Sequence, residues 1–148
     1  MIILDTNVLS ALMQRQPESA VVQWLNNQAG DSVWLTTITI FEVRFGLALL
    51  SRARRRDALE TAVERLVADE LKHRVLDFDT PAAEAAARLA ASRKSVGRPV
   101  DFRDTQIAGI ALSRKATLAT RNERYFADLD IRIVNPWSAA EPAKRSSV

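Results

Sequence analysis

Five apolar runs of only three or four residues, set between longer stretches of helical periodicity, limit the architectures open to this chain. They lie at residues 2–4, 33–35, 75–78, 117–119 and 131–134. Runs this short and this apolar suit strands buried on both faces, which belong to parallel sheets. Helices are expected at 7–14, from a first turn holding Pro17 to about 28, and at 39–50, 52–70, 81–94 and 103–114. Thr36, Thr37 and Thr39 offer a cap for the third helix, while Thr80 caps and Pro81 starts the fifth. The alternation predicts one α/β domain over residues 1–137, with a mostly parallel sheet covered by helices on both faces. Residues 138–148 are small and polar and are expected to be flexible.

Composition narrows the chemistry. With 148 residues and 47% hydrophobic content, the chain is long and apolar enough for one real core. It has no cysteine, which excludes disulfides, thiolate metal sites and a cysteine nucleophile. The opening MIILDTN lacks a basic segment and turns polar at Asp5, so it does not read as a signal peptide. No apolar stretch nears the roughly 20 residues of a membrane helix. A soluble cytoplasmic protein is expected. Net charge is +3, and Arg52, Arg54, Arg55 and Arg56 crowd together. The planar fork of arginine suits phosphate, and a solvated helix face explains the same cluster equally well.

The informative residues are acids in apolar places. Asp104 falls on one helical face with Ile107, Ala108 and Ala111, a stripe that should point at the sheet. Glu42 falls on a stripe with Ile38, Phe45 and Leu49, flanked by Phe41 and Val43, while Arg44 points elsewhere. Asp5 ends an apolar strand, and ligands in open α/β sheets sit beyond the carboxyl ends of strands. Asp5 and Asp104 each have a plainer reading as helix caps. Glu42 is too late in its helix to cap and has a distant arginine as its plainer partner. Three inward carboxylates have a common explanation in a hard divalent cation.

Four stretches carry a family resemblance: I-L-D-T-N-V-L-S at 3–10, T-T-I-T-I-F-E-V-R-F-G at 36–46, D-T-Q-I-A-G-I-A at 104–111, and L-A-T-R-N-E-R-Y-F at 118–126, the last followed by V-N-P-W at 134–137. In this order they resemble the PIN-domain toxins of the VapC and FitB type, from bacterial toxin–antitoxin pairs. The resemblance spans residues 2–137 and implies a three-layer α/β/α fold. It gives Asp5, Glu42 and Asp104 the metal-site roles, with Mg²⁺ or Mn²⁺ as the ion. The family's fourth position falls on Asn122, where an Asp is common. Asn offers a neutral oxygen able to orient a metal-bound water, and it leaves the number of ions open between one and two. Thr120 can bring its hydroxyl to the same rim. Tyr125 stands where relatives often carry an acid and is assigned no catalytic role.

The implied activity is endoribonuclease: metal-activated water hydrolyses an RNA phosphodiester, leaving 5′-phosphate and 3′-hydroxyl ends. Arg98, Arg103 and Arg121 flank the acidic motifs and are candidate backbone contacts, with single-stranded RNA the best fit to a narrow cleft. The implied partners are a small antitoxin of the VapB/FitA type, operator DNA bound through that antitoxin, and a second copy in a homodimer. The third and fourth helices are the candidate antitoxin groove, where Trp24, Phe41, Phe45 and Leu49 are either core or interface.

Other readings fit less well. An aspartyl-nucleophile phosphatase needs a second Asp two residues after the first, where this chain has Asn7. A receiver domain has candidates for its acid in Asp77 or Asp79 but no lysine placed after a late strand, since Lys115 precedes one and Lys144 is in the tail. A PIN-like module that grips RNA or antitoxin without cutting is the alternative raised by Asn122. The single histidine, His73, lies between Lys72 and Arg74 and reads as a surface residue.

Overall fold

The computed structural model describes residues 1–138, so the expected tail lies, from 139 on, outside the described residues. The strands are β1 (Ile2–Leu4), β2 (Val33–Thr36), β3 (Val75–Leu76), β4 (Thr117–Ala119) and β5 (Ile133–Val134). They form one sheet in the order β3-β2-β1-β4-β5, and every neighbouring pair is parallel. The helices are α1 (Thr6–Leu12), α2 (Ser19–Asn26), α3 (Thr37–Ala48), α4 (Ala53–Arg65), α5 (Thr80–Ser95) and α6 (Phe102–Arg114).

The period of two along each strand sorts the core into two layers. Leu4, Val33, Leu35 and Ala119 pack with Val8, Leu9, Val21, Trp24, Val43, Leu47 and Val63 of α1 to α4. Ile3 and Leu118 face the other way, onto Ile107, Ala108, Ile110 and Ala111 of α6 and Ala82 of α5. Each fully buried Ile or Leu contributes roughly 1.5–3 kcal/mol. The result is the three-layer α/β/α arrangement. Among the described residues, no helix is long and apolar enough to cross a membrane.

Several element boundaries differ from the sequence reading, each for a local reason. Pro17 lies outside α2, because Glu18 is extended (ψ 118) at the N-cap and the helix starts at Ser19. Asp79, not Thr80, caps α5: its Oδ1 accepts from Ala82 N at 3.1 Å, and Arg114 holds its Oδ2 at 3.0 Å. The fourth helix is α-helical only to Arg65 and ends in a π turn, Leu66–Glu70. The third and fifth strands shrink to two residues each. The stripe expected on α3 also turns around. Phe41, Phe45 and Leu49 are exposed, and Thr39, Val43 and Leu47 form the buried line. Trp24 is core. His73 is exposed, in a left-handed turn with φ 58.

α5 and α6 approach each other closely at Gly109. A Cβ there would stand 2.5 Å from Ala82 O and 2.7 Å from Ala86 Cβ. The helix-propensity gain of alanine, about 1 kcal/mol, cannot offset a collision with a backbone carbonyl. Gly109→Ala is therefore expected to lower stability by about 1–3 kcal/mol in urea unfolding. An unchanged midpoint would mean the two helices do not meet this closely.

Candidate active site

The chain runs from β1 outward to β2 and β3, then returns to the other side of β1 as β4. The sheet therefore has its topological switch between β1 and β4, where the loops part and leave a crevice at the carboxyl ends. Asp5 stands at the end of β1 in that crevice, and Thr120 follows β4 directly beside it.

Asp5 is 4% exposed. Its two oxygens divide their work. Oδ1 caps α1 by accepting from Thr6 N at 2.8 Å. Oδ2 accepts from Thr120 Oγ1 at 2.8 Å and from Asn7 Nδ2 at 3.3 Å. Burial raises the Asp5 pKa, and the bonds from Thr120 and Thr6 oppose the rise. The capping role and the crevice role thus coexist on one side chain.

Glu42 sits one turn into α3, whose N-cap is Thr36, accepting from Thr39 N at 3.1 Å. Thr6 Oγ1 donates to Glu42 Oε1 at 3.0 Å. A hydroxyl has one hydrogen, so Thr6 must accept from Thr39 across their 2.9 Å contact. Thr36 Oγ1 donates in turn to Thr39 Oγ1 at 3.4 Å, so three threonines are ordered toward the Glu42 carboxylate. The distant arginine of the plainer reading is Arg103, whose Nη1 is 3.9 Å from Glu42 Oε2 on a half-exposed side chain. Burial raises the Glu42 pKa more than Thr6 and Arg103 lower it. Arg44 turns away to Glu64 at 3.9 Å.

Asp104 does not cap α6. That role belongs to Asp101, whose Oδ1 accepts from Asp104 N at 3.1 Å. The Asp104 carboxylate is left free in the first turn, above the buried Ile107, Ala108 and Ala111. Its pKa is pushed up to about 6, first by burial and then by the charges of Asp5, Asp101 and Glu42, with Arg103 opposing.

Asp5, Glu42 and Asp104 line one cleft of about 400 Å³, together with Thr6, Asn7, Arg121 and Trp137. Among the described residues, no three acidic or histidine side chains stand close enough to enclose an ion by themselves. Asn122 is exposed and does not line the cleft; its backbone amide donates to Thr120 Oγ1 at 3.0 Å. The three candidate arginines separate clearly. Arg98 is paired with Asp128 at 2.9 Å, Arg103 leans toward Glu42, and Arg121 lies on the cleft wall.

Sequence reasoning missed Asp101, Thr6 and Asn7 as members of this site. Asp101 precedes its helix and belongs to no apolar stripe, and its one signal was the three-residue spacing to Asp104. Tyr125 proves structural: its hydroxyl accepts from Asp101 N at 2.9 Å, and its ring lies under the buried Arg93, whose guanidinium is held by Asp128.

A second groove continues from the cleft and shares Thr6, Ser10, Gln14 and Glu42 with it. It runs between α1, α3 and α4, lined further by Met13, Val43, Leu47, Leu50 and Leu59, with Arg55 on its wall. Phe41, Phe45 and Leu49 do not line it.

Comparison with known proteins places these features among relatives. The family model described as PIN domain matches residues 2–132. The plasmid stability protein StbB of Pseudomonas syringae pv. tomato is 38% identical, over 94% of this chain and 100% of its own length. The VapC ribonuclease Y4jK of Sinorhizobium fredii is 37% identical, over 95% and 100%. The crystal structure of FitAcB from Neisseria gonorrhoeae superposes with a TM-score of 0.84 at 35% identity, covering 93% of this chain and 99% of that one.

The raised Asp104 pKa has a stability consequence of definite sign. The fold lifts it from 3.8 to about 6, so the folded state binds the proton more tightly. That contribution is complete below pH 3.8 and is lost as pH rises through about 6. In EDTA at pH 8, Asp104→Asn is expected to raise Tm by about 1–3 °C, and at pH 4 the difference should vanish. Equal melting at both pH values would show that Asp104 carries no charge penalty.

Proposed function

Because this chain belongs to the PIN-domain family, we propose that it is the toxin of a toxin–antitoxin pair, a divalent-metal-dependent endoribonuclease working through Asp5, Glu42 and Asp104. The observation that carries this reading is electrostatic. Three carboxylates with raised pKa line one cleft at the sheet's switch point; among the described residues their one ion pair is Glu42 with Arg103 at 3.9 Å, and Arg121 on the cleft wall pairs with none of them. Such a set favours a cation or protons, and at neutral pH a cation is the better partner.

The donor chemistry fits Mg²⁺ or Mn²⁺. These hard ions take oxygen ligands, and Mg²⁺ keeps several waters while binding one or two carboxylates directly. When bound, such an ion polarises a phosphoryl oxygen and lowers the pKa of a water it holds.

The chain's own residues supply orientation. Thr120 and Asn7 hold Asp5 Oδ2 and Thr6 N holds Oδ1, so the carboxylate is kept in one orientation at the cleft. The ordered threonines Thr36, Thr39 and Thr6 fix Glu42 Oε1. Asp101 takes over the capping of α6 and leaves the Asp104 carboxylate for the site. Asn122 donates its backbone amide to Thr120, the residue that holds Asp5, and its side-chain oxygen is the proposed group for orienting a metal-bound water.

The partner follows from the relatives. FitAB is a complex, solved also on an IR36 DNA fragment, and the chain with which it aligns is 35% identical to this one. For this chain we propose an antitoxin of the VapB/FitA type that brings the pair to operator DNA. Its inhibitory segment would lie in the groove between α1, α3 and α4, which opens into the acidic cleft. The same reading carries a homodimer, with the exposed Phe41, Phe45 and Leu49 as apolar surface available to it.

Cleavage of single-stranded RNA by the purified chain is expected with Mn²⁺ and absent with EDTA. Asp5→Asn or Asp104→Asn should reduce the rate by about 100-fold or more with the fold intact, and Thr120→Val by about 10-fold through the loss of its bond to Asp5. Cutting at the parent rate by either carboxylate variant would refute the assigned site. Tight RNA binding with no product in Mn²⁺ would make the chain a non-cleaving module instead.

A further inference from the structure

Two motifs near the end of the described chain, L-A-T-R-N and V-N-P-W, meet at the acidic cleft. The guanidinium of Arg121 lies over the ring of Trp137, 4.9 Å from its centroid, and both residues line the cleft beside the acids. The backbone fixes each end of this pair. Arg121 N donates to Asn7 Oδ1 at 3.3 Å, and Asn7 is itself bonded to Asp5. Trp137 N donates to Asn135 Oδ1 at 2.9 Å, and Asn135 Nδ2 donates to Glu123 at 3.2 Å. The Asn–Pro–Trp turn thus sets the indole where it carries the arginine.

Arg121 also differs from the neighbouring cations in what it lacks. Arg98 spends its charge on Asp128, and Arg103 faces Glu42. Among the described residues, no carboxylate pairs with Arg121. Stacking on an indole occupies the face of a guanidinium and leaves its in-plane N–H donors directed outward, in the geometry that grips two phosphate oxygens. Seating the side chain beforehand also reduces the ordering cost of binding. A cleft lined by carboxylates repels a polyanion, so a cation on its wall is needed to hold the strand while it is cut.

We propose that Arg121, seated on Trp137, is the subsite for a backbone phosphate of single-stranded RNA at the acidic cleft. This rests on the nuclease reading above and adds to it the residue that holds the substrate. The site needs no particular base, since the contact is to phosphate.

The test uses fluorescein-labelled single-stranded RNA titrated in EDTA at several salt concentrations, with Asp5→Asn as the parent so that no cutting occurs. Adding Arg121→Ala should weaken binding about tenfold and lower the slope of log affinity against log salt by about 0.7, the share of one phosphate on a single strand. Arg121→Lys should keep the slope and lose part of the affinity, because it keeps the charge without the fork. Arg121 is exposed, so melting should not change. Parent-like affinity and slope in Arg121→Ala overturn the subsite and leave the nuclease reading standing. A parent that binds no RNA at low salt, in EDTA and again with Mg²⁺, overturns both.

Discussion

The buried carboxylate of Asp5 ties the first strand, the first helix and the segment after β4 to one another. It ends the central strand, caps the first helix and accepts a hydroxyl from the residue after β4. Those two bonds hold the neighbouring carboxyl ends of β1 and β4 around a crevice. The sheet order makes the crevice possible, because the connections after β1 and β4 lead to opposite sides of the sheet from that point. Without hydrogen bonds to both oxygens, a carboxylate 4% exposed would be strongly disfavoured as an anion.

Around that anchor the fold accumulates negative charge that it does not neutralise. Asp5, Asp101 and Glu42 each raise Asp104, and the one arginine that opposes them, Arg103, is half exposed and 3.9 Å from Glu42. Elsewhere the same chain pairs its charges closely: Arg93 makes a two-point contact with Asp128, and Asp79 holds both a helix end and Arg114. The contrast separates the two kinds of acid. Asp79 and Asp128 have lowered pKa through their partners, while the acids of the cleft have raised ones. A surplus confined to one place, beside two packed apolar layers, is what the proposed cation would neutralise.

Much of this was legible in the residues. The runs at β1, β2 and β4 are apolar on both faces, so strand and layer followed directly from them. Asp104 stood out because α6 has a one-sided apolar stripe that points its face at the sheet. α3 misled, because it is apolar nearly all round and periodicity alone gives no inward direction. The buried line proved to be Thr39, Val43 and Leu47, and Phe41 and Phe45 stack on each other at 6.0 Å in solvent. The hydroxyl partners were hidden for a different reason. Thr6, Thr39 and Thr120 are 33 to 115 residues from the groups they bond, and nothing local marks a threonine as part of a distant carboxylate's environment. Asn122 follows the family pattern in sequence; it is exposed, and it reaches Asp5 only through its backbone bond to Thr120, whose hydroxyl meets the carboxylate.

The central claim is that the cleft holds carboxylates whose charge is left for a divalent ion. Carbon-detected NMR of the side-chain carboxyl groups, titrated with and without Mg²⁺, reads this directly. The account predicts that Asp104 titrates near 6 in the metal-free chain and moves below about 4 when Mg²⁺ is added, with Asp5 and Glu42 shifting in the same direction. An Asp104 that titrates near 3.8 without metal, and does not respond to Mg²⁺, would contradict it.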